Sequence, residues 1–171
     1  MAATAIVLPV GEAEPIVARW RRAHTRDGAD GMPAHVTLIY PFVDDAHLGD
    51  EVIAHLGDVL AGIAPIDVRF GAFGRFDANP PVLYLEPAPA QPLHDLITVI
   101  AASFPGHPPF GGRHECVIPH LTVAQTQDAG AIAAAEDDVA RHLPLSARLD
   151  AVHVLAHRAG RGWRTHTAIA L

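Results

Sequence analysis

A chain of 171 residues, half of them hydrophobic, can build one domain with a sizeable core, which excludes an intrinsically disordered protein. The net charge of -7 argues against gripping a long nucleic-acid duplex through many phosphates, but leaves room for a small phosphorylated substrate or an RNA end. The single cysteine, Cys116, excludes an intramolecular disulfide, and the apolar run 5–10 is too short to span a bilayer and has no basic residues before it. A cytoplasmic monomer, 1–171 as one domain and with no membrane association, is the expectation.

Residues 5–8 read as a first strand, followed by a helix over 12–22 with Pro15 near its start and Ile16, Val17 and Trp20 on one side. A strand over 34–40 is closed by Pro41. Over 45–63, Leu48, Val52, Leu56, Val59, Leu60 and Ile63 recur at helical spacing. Two strands, 66–73 and 82–86, flank a connection containing Gly and Pro, and a second amphipathic helix covers 92–104. A Pro/Gly-rich loop, 105–112, precedes a strand over 116–124. Asp128 is a candidate cap for a helix reaching His142, which Pro144 ends. The chain closes as a hairpin, 147–157 and 163–171, around Gly160-Arg161-Gly162.

The order strand, helix, strand, strand occurs from residue 34 and again from about 117. His120 follows His35 by 85 positions, and the same offset lays 66–70 over 151–155. This pattern points to a duplicated unit with a pseudo-two-fold axis. Such an axis would bring one copy of a short motif from each half to a shared cleft.

That motif is His-x-Thr: His35-Val36-Thr37 and His120-Leu121-Thr122. Strict strand alternation puts His35, Thr37 and Ile39 on one face, with Val36, Leu38 and Tyr40 on the other. The second copy sets His120, Thr122 and Ala124 against Leu121 and Val123. Two histidines on opposite sides of a phosphorus could act as general base and general acid without a metal, and either histidine can take either role. The threonine hydroxyls could donate to the non-bridging oxygens as charge builds there. With 12 histidines in the chain, chance supplies about 0.6 such triplets. Placement in two apolar strands at equivalent points of the repeat therefore carries more weight than occurrence.

The stretches Pro33-Ala34-His35-Val36-Thr37-Leu38-Ile39-Tyr40-Pro41-Phe42 and Pro119-His120-Leu121-Thr122-Val123-Ala124 resemble the signature strands of the two-histidine (2H) phosphoesterase superfamily. The nearest likeness is to its 2′-5′ RNA ligase and cyclic phosphodiesterase branch. It extends to Phe73-Gly74-Arg75-Phe76, to Val82-Leu83-Tyr84-Leu85 and to the closing hairpin with Trp163, nearly the whole chain. The resemblance implies a bilobal α+β fold: two antiparallel sheets related by a pseudo-two-fold, helices outside and a cleft between. It implies cofactor-free hydrolysis or reversible ligation at 2′,3′-cyclic phosphates or 2′-5′ linkages of RNA or nucleotides. His35 and His120 become the acid/base pair, and Thr37 and Thr122 the phosphate binders. Many ligase-like members carry an arginine where this chain has Gln125. A neutral amide binds phosphate less strongly than a guanidinium fork, so hydrolysis is favoured over ligation. Arg22, Arg75 and Arg113 are candidates for the missing charge.

Phe42, Phe73 and Phe76 are candidate base-stacking residues, Phe42 and Phe76 being the ones carried forward, whereas alternation sends Tyr40 to the core. Arg19, Arg21, Arg22 and Arg26 read as a solvated helix face. His107, His114, Cys116 and His120 are of metal-binding type, but their spacing fits no tight zinc pattern, and no metal is expected. The alternatives are 2′-5′ RNA ligation and a non-catalytic module binding a nucleotide or an RNA end.

Overall fold

The computed structural model describes residues 3–112 and 117–171. The fold is mixed α+β with two four-stranded antiparallel sheets. The first contains β1 (Thr4–Pro9), β2 (His35–Ile39), β7 (Ala151–Arg158) and β8 (Gly162–Ala170), in the order β2-β1-β7-β8. The second contains β3 (Ile66–Phe76), β4 (Val82–Ala88), β5 (Leu121–Gln125) and β6 (Leu145–Leu149), in the order β5-β4-β3-β6. Each motif strand is an edge strand, and its inner neighbour is the strand that precedes it in sequence. The third places fall to β3 and β7, the pair that the 85-residue offset superposes.

Helices α1 (Glu14–His24), α3 (Asp50–Leu60), α4 (Gln91–Ser103) and α5 (Ala129–Ala140) fall close to the expected segments; α2 (Arg26–Ala29) is a short turn that the hydrophobic pattern does not announce. Thr25 starts α2 by accepting a hydrogen bond from the Gly28 amide at 2.9 Å. Asp128 caps α5 in the same way, through the Ala131 amide at 3.0 Å. One continuous core joins the sheets to the helices, running from Ile6, Leu8, Val36 and Leu38 to Leu83, Leu85, Leu121 and Val123. The helices cross over: α1 packs on β5 of the second sheet, and α4 packs on β2 of the first. This exchange lets a side chain on α1 reach both motif strands.

Several expected boundaries move. The segment 147–157 is not one strand: β6 completes the second sheet, and after Asp150 the chain passes into β7 of the first. The helix expected over 45–63 is a single 3-10 turn, Asp45–His47, followed by α3. The strand expected over 116–124 begins at Leu121, because Pro119 has no amide for a ladder; Cys116 lies outside the described residues. Among the described residues, no helix is long and apolar enough to cross a membrane.

Candidate functional site

Both motif strands carry the same irregularity. Opposite β1, Val7 faces Thr37 while Ile6 faces Ile39, so Leu38 is an extra residue. Opposite β4, Tyr84 faces Thr122 while Leu83 faces Ala124, so Val123 is extra. A bulge of one residue reverses the alternation beyond it. Ile39 and Ala124, expected on the polar face, are therefore fully buried in the core. The residues after them turn outward, and Tyr40 and Gln125 line the cleft. The core placement expected for Tyr40 is thereby corrected: it is 37 % exposed, with its ring edge against Trp163.

The two motifs converge on a cavity of about 140 Å³ lined by His35, Thr37, His120, Thr122, Tyr40, Phe110 and Gln125. Ala5, Arg21, Thr25, Arg26, Asp27 and Met32 complete the walls of the cavity. His35 Nδ1 lies 2.7 Å from the Pro33 carbonyl, and His120 Nδ1 lies 2.8 Å from the Ile118 carbonyl. A carbonyl only accepts, so each ring carries its proton on Nδ1 and, when neutral, leaves Nε2 as an acceptor. At His35 that acceptor meets the Thr37 hydroxyl, 3.1 Å away, which donates to it. Two neutral imidazoles are thus held in the same tautomer by the same device, a carbonyl two residues upstream.

Their surroundings differ. His35 is 8 % exposed, and burial, reinforced by the nearby Arg21 guanidinium, pushes its pKa down to about 3. His120 is half-buried; burial again lowers its pKa, the Arg21 guanidinium adds to the shift, and the hydrogen bond to Ile118 opposes it. Its ring lies among aromatic side chains, edge-on to Phe76 at 4.8 Å and to Tyr84 at 5.3 Å, and near-parallel to Phe110 at 6.4 Å.

The buried His35 has a consequence for stability. In an unfolded chain a histidine takes up its proton near its ordinary value of 6.5, whereas folded His35 does so only near 3. Between those values the unfolded state binds more protons, so stability falls as pH falls, by up to about 1.4 kcal/mol per pH unit from this group. Asp138, held at about 2 by hydrogen bonds from Trp20 and Arg19, loses its contribution only below the ordinary carboxylate range. Urea midpoints from pH 7 to pH 4 should therefore decline, and less steeply in His35→Gln. Equal slopes in the two proteins would contradict the assignment.

The arginines separate sharply. Arg21 is 2 % exposed; its Nη1 donates to the Thr122 carbonyl at 2.7 Å, and its Nη2 lies 3.5 Å from both the Met32 carbonyl and His35 Nδ1. Arg26 lines the cavity, and Arg19 pairs with Asp138 on α5. Among the candidates for the missing charge, Arg22 is exposed and lines a separate small cavity behind Arg21, and Arg75 pairs with Glu136. Arg113 lies outside the described residues. The helix face read as solvated thus contains the buried cation of the site. The signal was available: Arg21 follows Val17 at i+4, on the apolar side of α1.

A second cavity, of about 540 Å³, opens beside the first and shares Phe110, His120 and Gln125 with it. Phe76, Asp77, Ala78, Val82, Val117 and Ile118 form its other walls. Phe76, one of the expected stacking residues, stands in this wall with its ring near-parallel to Tyr84 at 4.3 Å. Phe42 is not in the cleft: it is 5 % exposed and packs edge-on against Phe104 and His107. Phe73, the other stacking candidate, is half-buried against the core and lines neither cavity. Phe110 was passed over because it sits in a Pro/Gly loop without periodicity; its φ of 53° is a left-handed conformation rare for a large side chain. His107 packs against Phe42 and lines neither cavity, and His114 and Cys116 lie outside the described residues. Among the described residues no three His, Cys, Asp or Glu side chains gather as a metal site.

The model of the 2′-5′ RNA ligase superfamily matches residues 9–161. The chain belongs to that superfamily. It is also similar to "Putative phosphoesterase GK0864" of Geobacillus kaustophilus, 27 % identical over 95 residues, or 55 % of this chain. The match spans 52 % of that protein, so the two are aligned over about half the relative's length. Among solved structures, TT0787 of Thermus thermophilus superposes with a TM-score of 0.66 at 14 % identity, covering 99 % of this chain and 97 % of that one. E. coli LigT complexed with 3′-AMP superposes with a TM-score of 0.64 at 17 % identity, with the same coverage. At these identities the likeness is one of fold, and the fold is that of the 2H phosphoesterases.

Proposed function

We propose that this member of the superfamily is a phosphodiesterase that hydrolyses a 2′,3′-cyclic phosphate or a 2′-5′ linkage of a nucleotide or RNA end, using His35 and His120 as its acid/base pair without a metal. The observation that carries the reading is the convergence of both imidazoles and both threonine hydroxyls on one small cavity. Water adds to phosphorus as one bridging P–O bond breaks. One histidine takes the water's proton through Nε2, and the other gives a proton to the departing ribose oxygen. The products are a phosphomonoester and a free hydroxyl, and exchange with solvent resets the two rings. Thr37 and Thr122 donate to the non-bridging oxygens; Thr37 must first release His35 Nε2, which the arriving phosphate makes favourable.

The neighbouring cavity supports a nucleoside as the attached group. A base can stack on Phe76 or Phe110 while its phosphate sits between the histidines. LigT has been crystallised with 3′-AMP, NADP+, ATP and phosphate, all small phosphate-bearing ligands, which agrees with this class. Gln125 at the junction of the cavities offers a neutral amide, which favours hydrolysis over ligation.

Turnover of the four nucleoside 2′,3′-cyclic phosphates in EDTA tests the proposal. Binding without turnover would instead favour a nucleotide-binding module, and loss of activity in EDTA that zinc restores would favour a metal mechanism. Removing a stacking surface should act on binding: Phe76→Ala and Phe110→Ala should each raise KM by roughly 5- to 100-fold, following about 1–3 kcal/mol per stacked base. An unchanged KM in both variants would move the base elsewhere.

A further inference from the structure

The cavity of about 540 Å³ beside the histidines is largely apolar; apart from His120, its hydrogen-bonding walls are Asp77 and Gln125. The sheet fixes where these two stand. Val82 of β4 pairs with Phe76 of β3 on one side and with Gln125 of β5 on the other, so the three form one row across the sheet. Neighbouring strands lie about 4.8 Å apart, which sets the outer two backbones roughly 10 Å apart, with the buried Val82 as the floor between them. β3 ends at Phe76, and Asp77 follows it out of the ladder. Asp77 therefore stands on the Phe76 side, across the floor from Gln125.

Gln125 and His120 also line the cavity that holds both motifs, whereas Asp77 lines only the second one. A nucleoside whose phosphate sits between the histidines thus has its ribose near Gln125 and the outer edge of its base near Asp77. Asp77 is exposed, and among the described residues its carboxylate has no hydrogen bond or ion pair. A carboxylate only accepts, so it favours a base edge rich in N–H donors. Guanine presents two adjacent donors there, N1–H and N2–H2, which match the two oxygens of one carboxylate. Adenine and cytosine each present one amino group beside an accepting ring nitrogen, and uracil presents one N–H between two carbonyls. Acceptors turned towards a carboxylate repel it.

We propose that this cavity is a base site selective for guanine, with Asp77 as its specificity-determining residue, accepting from N1–H and N2–H2 while the ring stacks on Phe76 or Phe110. The inference rests on the phosphodiesterase reading given above and names the nucleotide on which it acts.

The test compares kcat/KM for the 2′,3′-cyclic phosphates of guanosine, inosine, adenosine, cytidine and uridine in wild type, Asp77→Asn and Asp77→Ala. It also measures Kd for 3′-GMP and 3′-UMP. Wild type should prefer the guanosine substrate to the uridine one by roughly 5- to 100-fold, the discrimination usual for a bidentate base contact. The inosine substrate, which lacks only the N2 amino group, should lose part of that preference. In both variants guanosine and inosine should converge, and the guanosine-to-uridine ratio should fall towards one. Variants that slow all substrates equally would make Asp77 a structural residue and overturn the proposal. A wild type that prefers another base, or a guanine preference that survives both substitutions, would overturn it too. If wild type turns over no cyclic nucleotide, the phosphodiesterase reading fails and binding decides the base site. Tighter binding of 3′-GMP than of 3′-UMP, lost in Asp77→Ala, would support it, and equal binding would overturn it.

Discussion

His35→Ala and His120→Ala should each lower kcat for cyclic-nucleotide hydrolysis by roughly 10²- to 10⁴-fold, the usual contribution of a positioned acid or base. The two losses should not add. Base and acid serve one displacement, so once either proton transfer fails the second histidine has little left to contribute, and the double variant should resemble the worse single one. The variants should differ in their structural side effects. His35 is buried and its Nδ1–H satisfies the Pro33 carbonyl, so alanine there leaves an unpaired acceptor and a small void. His120 is half-buried at the cleft, and its replacement should leave melting closer to wild type. Kinetics and melting curves of both variants make the check. Wild-type kcat/KM in either one would end the two-histidine mechanism.

Gly74→Ala should damage the site from two strands away in the same sheet. Gly74 on β3 faces Tyr84 on β4, and the Tyr84 ring lies so close over it that an added Cβ would overlap the ring. The ring has nowhere to go. It is buried, Phe76 lies against its face at 4.3 Å, and His120 meets it at 5.3 Å. Overpacking of this kind costs about 1–3 kcal/mol, and a shift passed on to His120 of even 1 Å could lower turnover by about 10²-fold. Denaturant midpoints and kcat for Gly74→Ala should fall together. Pairing it with Tyr84→Leu should recover stability by removing the colliding ring. A Gly74→Ala protein with wild-type stability and turnover would mean that the platform behind His120 is softer than its packing indicates.

What connects these expectations is the repeated motif strand, and its legibility was uneven. His35, Thr37, His120 and Thr122 were readable because polar residues two apart in an apolar strand stand out against their neighbours. The superfamily was readable for the same reason, since its signature is local. The offset that laid 66–70 over 151–155 picked out β3 and β7, which take corresponding places in the two sheets. The assignment of Tyr40 to the core failed because alternation assumes an unbroken ladder, and an extra residue in the strand pairing is invisible in composition. Phe42 went the other way: a Pro-flanked aromatic looked like a cleft residue but packs under Phe104.

The sequence by itself determined the local chemistry: two His-x-Thr strands, four of the helices with Asp128 as the cap of one, and a neutral Gln125 in place of an arginine. Those follow from side-chain type and from periods of two and 3.6 residues, which act over a few neighbours. Only the tertiary structure decided which cation is buried beside the two motifs. Arg21 is one of several arginines on one helical stretch, and what singles it out is the crossing of α1 onto β5, a contact between residues 101 positions apart. The inequality of the histidines has the same origin, because burial and a neighbouring charge are set by what packs against a strand and not by the strand's own residues.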